Sequence, residues 1–397
     1  MLKQVGKALR CFRWLPVYGC QWLMRRPPRT GVVHVMIAVA DHFEPSIAPG
    51  TPETYTSTDE QERRVEQWCS EYPKAVDRWR DADGRPMLHT YFYPAEQYNK
   101  TLVDRLAEHC RSGWGEIEIH LHHGVRAADT AENTRRVLVE FRDGLARLGC
   151  LSRWNGEGPP LYAFVHGNWA LANSAGGRAC GVDEEMEILA ETGCYADLTL
   201  PSAPDPAQVT KINALYECAL PLHERAPHRK GRDLLRGRPP QIFPLIVQGP
   251  LGLDFARWPC LENGELTTLH PPTLRRLSLW CRPAVTVIGR PDWLFIKLHC
   301  HGMNPRDGAA MFGTPLRQFL EGLAKEALAY RVHFVTAREM VNIILAACDG
   351  REGDPGTYRD YRLRLGQRTT GRPDRRPDSV PCDLRRSAPL GPAPLCE

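Results

Sequence analysis

No uninterrupted apolar stretch in the basic N-terminal thirty residues reaches spanning length, so that segment predicts no transmembrane helix. There is no Cys-x-x-Cys pair either: the 14 cysteines are scattered along 397 residues, and a chain of that size has no need of disulfide staples. Reduced thiols in a cytosolic compartment are the expectation. No glycine loop has phosphate or dinucleotide spacing, and Gln248-Gly249-Pro250-Leu-Gly252 reads as a turn. Basic surplus is missing from the body of the chain. Residues 1–30 carry 7 Lys or Arg and no acid, and residues 351–397 carry 10 Arg against 7 acids, which leaves 31–350 at −6 within a total of +4. An acidic body excludes a nucleic-acid footprint across the fold.

Hydrophobic residues make up 42% of the chain, enough for one large domain with appendages. Strand-like runs at 32–40, 88–93, 116–121, 161–165, 195–200, 242–247, 293–298 and 332–335 alternate with helical patterns at 60–79, 101–110, 129–148, 183–191, 315–329 and 337–347. This βα repetition predicts an α/β fold, a distorted seven- or eight-stranded (β/α) barrel over 31–348. The irregular stretch 201–290 is expected to supply loops on the active rim. At the start, Leu2, Val5, Leu9 and Phe12 recur at helical spacing with Lys3, Lys7, Arg10 and Arg13 mostly off that stripe. Residues 1–30 therefore read as a basic amphipathic segment. Two placements fit: lying on an anionic membrane surface through residues 1–24, with Trp14, Tyr18 and Trp22 near the headgroups, or packing on the outside of the barrel. The Arg/Pro-rich residues 349–397 read as a disordered tail.

Seven of the 14 histidines fall where apolar runs stop: His42, His120, His122, His123, His166, His299 and His301. In Glu116-Ile-Glu-Ile-His-Leu-His, alternation puts Ile117, Ile119 and Leu121 on one face and Glu118 and His120 on the other. Leu294, Ile296 and Leu298 alternate in the same way with Phe295, Lys297 and His299. Imidazoles with a carboxylate at strand ends suit a divalent transition ion, and Asp41, which ends the first apolar run, is the expected carboxylate. His122 and His123 compete for one inward position. Glu44 and Glu118 are alternative carboxylates, Glu118 being equally readable as a buried partner of Lys297. Asp197 is expected to orient a catalytic histidine from behind, and Trp169, Tyr93 and Tyr98 suit the apolar faces of a sugar.

These motifs, in this order, resemble the polysaccharide deacetylase superfamily, the carbohydrate esterases typified by nodulation-type chitooligosaccharide deacetylases. The resemblance covers 31–348 and rests on Ala-Val-Ala-Asp41-His42-Phe43-Glu44-Pro45, Glu116-Ile-Glu-Ile-His120-Leu-His122-His123, Phe164-Val-His166-Gly-Asn168-Trp169, Lys297-Leu298-His299 and Arg331-Val-His-Phe-Val-Thr-Ala-Arg-Glu. It implies a divalent metal, zinc with cobalt or nickel as alternatives, held by Asp41, His120 and His122 or His123. Asp41 would be ligand or base, and His299 would protonate the leaving amine. His166, Asn168, Trp169 and Tyr98 would contact the glycan. The implied reaction removes N-acetyl or O-acetyl groups from a polysaccharide or lipid-linked glycan during exopolysaccharide or envelope synthesis. The chain departs from the family in lacking the adjacent Asp pair, having His42 there instead, and in the spacing of its histidine pair. Another barrel metal hydrolase and a noncatalytic glycan-binding protein are the competing classes.

Overall fold

Parallel strands covered on both faces are largely buried, and β-strand residues 33–42, 115–121 and 293–300 are buried throughout, with their polar residues gathered mostly toward the C-terminal ends. In the computed structural model, which describes residues 12–28, 30–48, 55–256, 259–325 and 330–366, the chain begins with α1 (Leu15–Met24), β1 (Val33–His42), α2 (Thr58–Val76), β2 (His89–Pro94) and α3 (Lys100–Arg111). It continues through β3 (Gly115–Leu121), α4 (Ala131–Arg147), β4 (Ser152–Trp154), β5 (Glu157–His166), α5 (Glu185–Glu191) and β6 (Cys194–Asp197). Short strands follow: β7 (Leu215–Cys218), β8 (Gly231–Asp233), β9 (Leu245–Val247), β10 (Gly252–Asp254), β11 (Cys260–Glu262) and β12 (Glu265–Leu266). The last elements are α6 (Leu274–Cys281), β13 (Trp293–Cys300), α7 (Gly308–Phe312), α8 (Thr314–Lys325), β14 (Tyr330–Phe334), α9 (Ala337–Cys348) and β15 (Leu363–Leu365).

The principal sheet runs β12-β13-β1-β2-β3-β5-β6-β9-β7-β8, parallel from β12 to β9 and antiparallel from there to β8. β1 is its hub. Residues 34–41 pair with β13, while on the other edge residues 33–37 pair with β14 and residues 39–42 with β2. The fold is therefore mixed α/β, a curled half-barrel. Among the described residues β8 and β12 do not pair to close it.

Alternation on β1 builds both cores. Val33, Val35, Ile37 and Val39 join Trp68 and Tyr72 of α2 and Leu106 of α3 on the outer face. Met36, Ala38 and Ala40 face inward onto α9, which is buried over its whole length. That helix enters the concave side through a capping box between Thr336 and Glu339, with the Ala337 amide donating to Thr90 Oγ1 at 2.7 Å and Arg338 paired to Glu116 at 2.7 Å. A closed barrel fills its interior with strand side chains; here a helix does so at the lower end, leaving the strand C-termini for polar residues.

All eight expected strands and six expected helices have counterparts, with boundaries moved by a few residues. The tail differs from its expectation. Residues 349–366 are folded: Arg359 is buried against Asp81, Asp83 and Glu339, and β15 pairs with β4. Residues 367–397, also expected to be disordered, lie outside the described residues, as does most of the stripe from Leu2 to Leu9. The described part of the N-terminal segment packs on the protein. Trp14 is buried with Ala203, Ile212 and Leu251, and the Gln21 side chain donates to the Ile212 carbonyl at 2.9 Å. No described helix is long and apolar enough to cross a membrane.

Beneath the outer core, the Tyr91 hydroxyl donates to the Trp114 carbonyl at 2.9 Å and accepts from Trp68 Nε1 at 3.1 Å and from His109 Nε2 at 3.0 Å. Burial lowers the His109 pKa to about 4 from 6.5, with Arg105 adding to the effect. A depressed histidine contributes stability that is present above pH 6.5 and lost as pH falls through about 4. Thermal melts of wild type and His109→Gln over that window should show wild type losing up to about 3 kcal/mol more than the variant. Parallel acid profiles would contradict the assignment.

Candidate metal centre

The strand phases decide which histidines meet. On β3, Ile117, Ile119 and Leu121 enter the outer core, so Glu116, Glu118 and His120 face inward as expected. On β13, Leu294, Ile296 and Leu298 point outward and leave Lys297 and His299 buried on the inner side. On β1 the same rule puts Asp41 in phase with Val39 and His42 in phase with Ala40.

Asp41 is therefore not a ligand partner of His120, which corrects the expectation. Its Oδ2 faces His89 Nδ1 at 2.9 Å and its Oδ1 accepts the Gly302 amide at 2.7 Å, with Cys300 beside it. The carboxylate is buried on the outer face, where it ties β1 to β2 and to the turn after β13. His42 takes the inward place, its ring centroid 4.8 Å from that of His120, 4.8 Å from that of His301 and 6.2 Å from that of His299.

The carboxylate among these imidazoles is Glu44, just past the end of β1. Its Oε1 lies 3.1 Å from His120 Nε2 and 3.4 Å from His122 Nε2. Each ring is fixed from behind: His120 Nδ1 faces the Val165 carbonyl at 2.8 Å, and His122 Nδ1 faces Glu96 Oε1 at 2.7 Å. A neutral His120 that donates from Nδ1 presents an Nε2 lone pair to a carboxylate, an arrangement a cation between them would stabilise. Glu44, His120 and His122 form one set of ligand atoms within 4.8 Å of one another, and His42, Glu44 and His301 form another. Among the described residues the buried His42 Nδ1 has no hydrogen-bond partner. Three to five nitrogen and oxygen donors around one carboxylate fit a divalent transition ion.

Burial would raise Glu44, but its contacts with His120 and His122 and the charge of His122 hold it well below 4.5, so it is a carboxylate. Burial also opposes charge on His122, yet Glu96 and Glu44 outweigh it and carry its pKa to about 10. Burial lowers His120, and it takes His42 well below 6.5 with His301 and His120 adding repulsion. Glu44 and Glu96 thus face rings that are fixed in place.

The remaining expected residues divide. His299 and Trp169 line one cavity of about 390 Å³, together with residues 201–206, Asn263 and Glu265. Among the described residues the buried His299 Nδ1 has no hydrogen-bond partner. Tyr93 and Tyr98 are not in that groove. Tyr93 is in the outer core, and Tyr98 is half exposed against Phe141 of α4. Glu118 neither pairs with Lys297 nor reaches the cluster; it accepts the Ala163 amide at 2.6 Å and the Tyr195 hydroxyl. Asp197 orients main chain instead of a histidine ring: it accepts the Thr199 hydroxyl at 2.7 Å, and that oxygen accepts the His166 amide at 2.8 Å. His123 and His166 turn away from Glu44 toward each other, Nε2 to Nε2 at 3.2 Å. The Asn168 main-chain N–H donates to His166 Nδ1 at 3.2 Å, and neither residue lines the groove with Trp169 as the expectation had it.

The chain matches no protein-family model and no curated protein sequence.

Sequence reasoning named Glu44 only as an alternative and missed Glu96 and His89. Glu96 had no signal, lying in the Ala-Glu-Gln turn after β2. Gly167 could have been suspected: a Cβ there would overlap the His122 ring, so glycine makes room for that side chain. Gly167→Ala should weaken metal affinity by about tenfold or more without removing a donor, as outer contacts to ligands do; titration with a chromogenic chelator measures it, and unchanged affinity would contradict the packing role. Asp41→Asn should retain wild-type metal content by elemental analysis while losing about 2 kcal/mol of stability as its buried hydrogen bonds weaken. Loss of the ion in that variant would restore Asp41 as a ligand.

Proposed function

We propose that this chain is a metal-dependent hydrolase of the polysaccharide deacetylase type, a divergent member with a distorted (β/α) barrel, that removes acetyl groups from a glycan. The observation carrying this reading is the Glu44 carboxylate facing Nε2 of both His120 and His122 at one end of a parallel sheet, beside a cavity that holds a histidine and a tryptophan. Glu44, His120 and His122 would hold the ion, with His42 or His301 completing the set. A divalent ion in such a set supplies Lewis acidity and a lowered water pKa.

The chain's own groups do the rest. The Val165 carbonyl and Glu96 keep the His120 and His122 rings oriented, so little reorganisation is left for the reaction. His299, which lines that cavity, would pass a proton to a departing amine. Trp169 offers an aromatic face to a pyranose ring in the same cavity. Asp41 takes no part in proton transfer, so the family's carboxylate base has no equivalent at that position.

Assayed on a panel of N- and O-acetylated oligosaccharides, the zinc- or cobalt-loaded protein should release acetate. His299→Ala should reduce kcat by about 10²- to 10⁴-fold, the ordinary range for a lost acid or base. Glu44→Gln should lose both activity and one equivalent of metal. Full turnover in His299→Ala would remove its proton-transfer role, and metal binding without acetate release from any substrate would favour the other hydrolase or binding classes.

A further inference from the structure

Outside the Glu44 cluster lies a second convergence of donors. His123 follows β3, His166 ends β5, Cys180 sits in the loop before α5, and Glu185 opens that helix. All four are buried, with exposures of 7%, 0%, 0% and 0%. Their ligand atoms lie within 4.8 Å of one another. His123 Nε2 is 3.0 Å from Glu185 Oε1 and 3.2 Å from His166 Nε2, and Cys180 Sγ is 3.5 Å from Glu185 Oε2.

We propose that His123, His166, Cys180 and Glu185 form a structural site for zinc or a similar borderline-soft divalent ion, distinct from the Glu44 centre. Two imidazoles, a thiol and a carboxylate make a four-donor set, and a sulfur donor selects zinc-like ions over magnesium or calcium. Full burial leaves no open position for a substrate, which is the mark of a structural centre and not a catalytic one.

The surroundings fix the donors. His123 Nδ1 faces Asp129 Oδ2 at 2.9 Å, and Thr134 Oγ1 donates to that same oxygen at 2.9 Å. The carboxylate thereby directs His123 Nε2 into the cluster, the usual arrangement behind a metal-bound imidazole. Glu185 Oε2 accepts the Ala172 amide at 2.6 Å, which leaves Oε1 turned toward the histidines. One group must adjust. Ligation through His166 Nε2 moves its proton to Nδ1, so the Asn168 amide, 3.2 Å from Nδ1, turns aside.

The site joins two loops that already touch. The Asp129 amide donates to the Cys180 carbonyl at 2.8 Å, and a Cβ at Gly124 would overlap the Cys180 main chain. Because His122 and His123 are consecutive, an ion at the second site would also fix the segment that presents His122 to Glu44. That answers why both histidines are present: each serves a different centre.

The test is the electronic spectrum of the full chain loaded with cobalt(II). A thiolate-to-cobalt charge-transfer band in the near ultraviolet is expected in wild type. It should persist in Glu44→Gln, and in Cys300→Ser, which removes the thiol beside Asp41 and His89, and it should vanish in Cys180→Ser. Absence of the band in wild type overturns the proposal without reference to how any variant folds; its persistence in Cys180→Ser also overturns it, as does its loss in Cys300→Ser when that variant melts as wild type does. In the Glu44→Gln background, chelation should lower the melting temperature, and unchanged melting would overturn the structural role. Neither readout uses activity, so failure here is distinguishable from failure of the deacetylase reading.

Discussion

A single buried carboxylate facing two imidazoles is the interaction on which the candidate site depends. Removing charge from water is costly, and Glu44 remains ionised only because His120 and His122 approach it at 3.1 and 3.4 Å. Those rings in turn remain in position because the Val165 carbonyl and Glu96 occupy their far nitrogens. The groups in contact come from the ends of four strands, so the cluster exists only if β1, β2, β3 and β5 stand in their observed order and register. The sheet is a positioning device.

Two-residue periodicity explains the rest of the arrangement. Along β1 the outward set of valines ends at Asp41 and the inward set of small residues ends at His42. Adjacent residues thus serve opposite faces: one holds the outer layer together, and the other joins the imidazoles. Phe43 continues the alternation into the outer core, and Glu44, two residues after His42, is on the inner side within reach of both β3 histidines. Beneath the cluster α9 fills the concavity and confines polar chemistry to the upper rim.

Much of this was legible in the sequence. Apolar runs and their alternation located every central strand, and phase alone put His120, Lys297 and His299 on the inner face. Asp41 was misread because an apolar run ending in Asp looked like a ligand by position. The phase argument used for β3 and β13, carried over to β1, would have pointed to His42. Nothing local could have revealed Glu96, Asp129, Cys180 or Glu185 as partners, since their roles arise from loops brought together across the fold. The tail was misjudged for a related reason: its arginines read as solvated charge, yet Arg359 is buried by three acids from distant segments.

Anomalous diffraction from crystals of the zinc-loaded protein tests the central claim most directly. The account predicts an anomalous peak about 2 Å from Nε2 of both His120 and His122 and from a Glu44 oxygen. A peak beside Asp41 and His89, or no peak near Glu44, would contradict it.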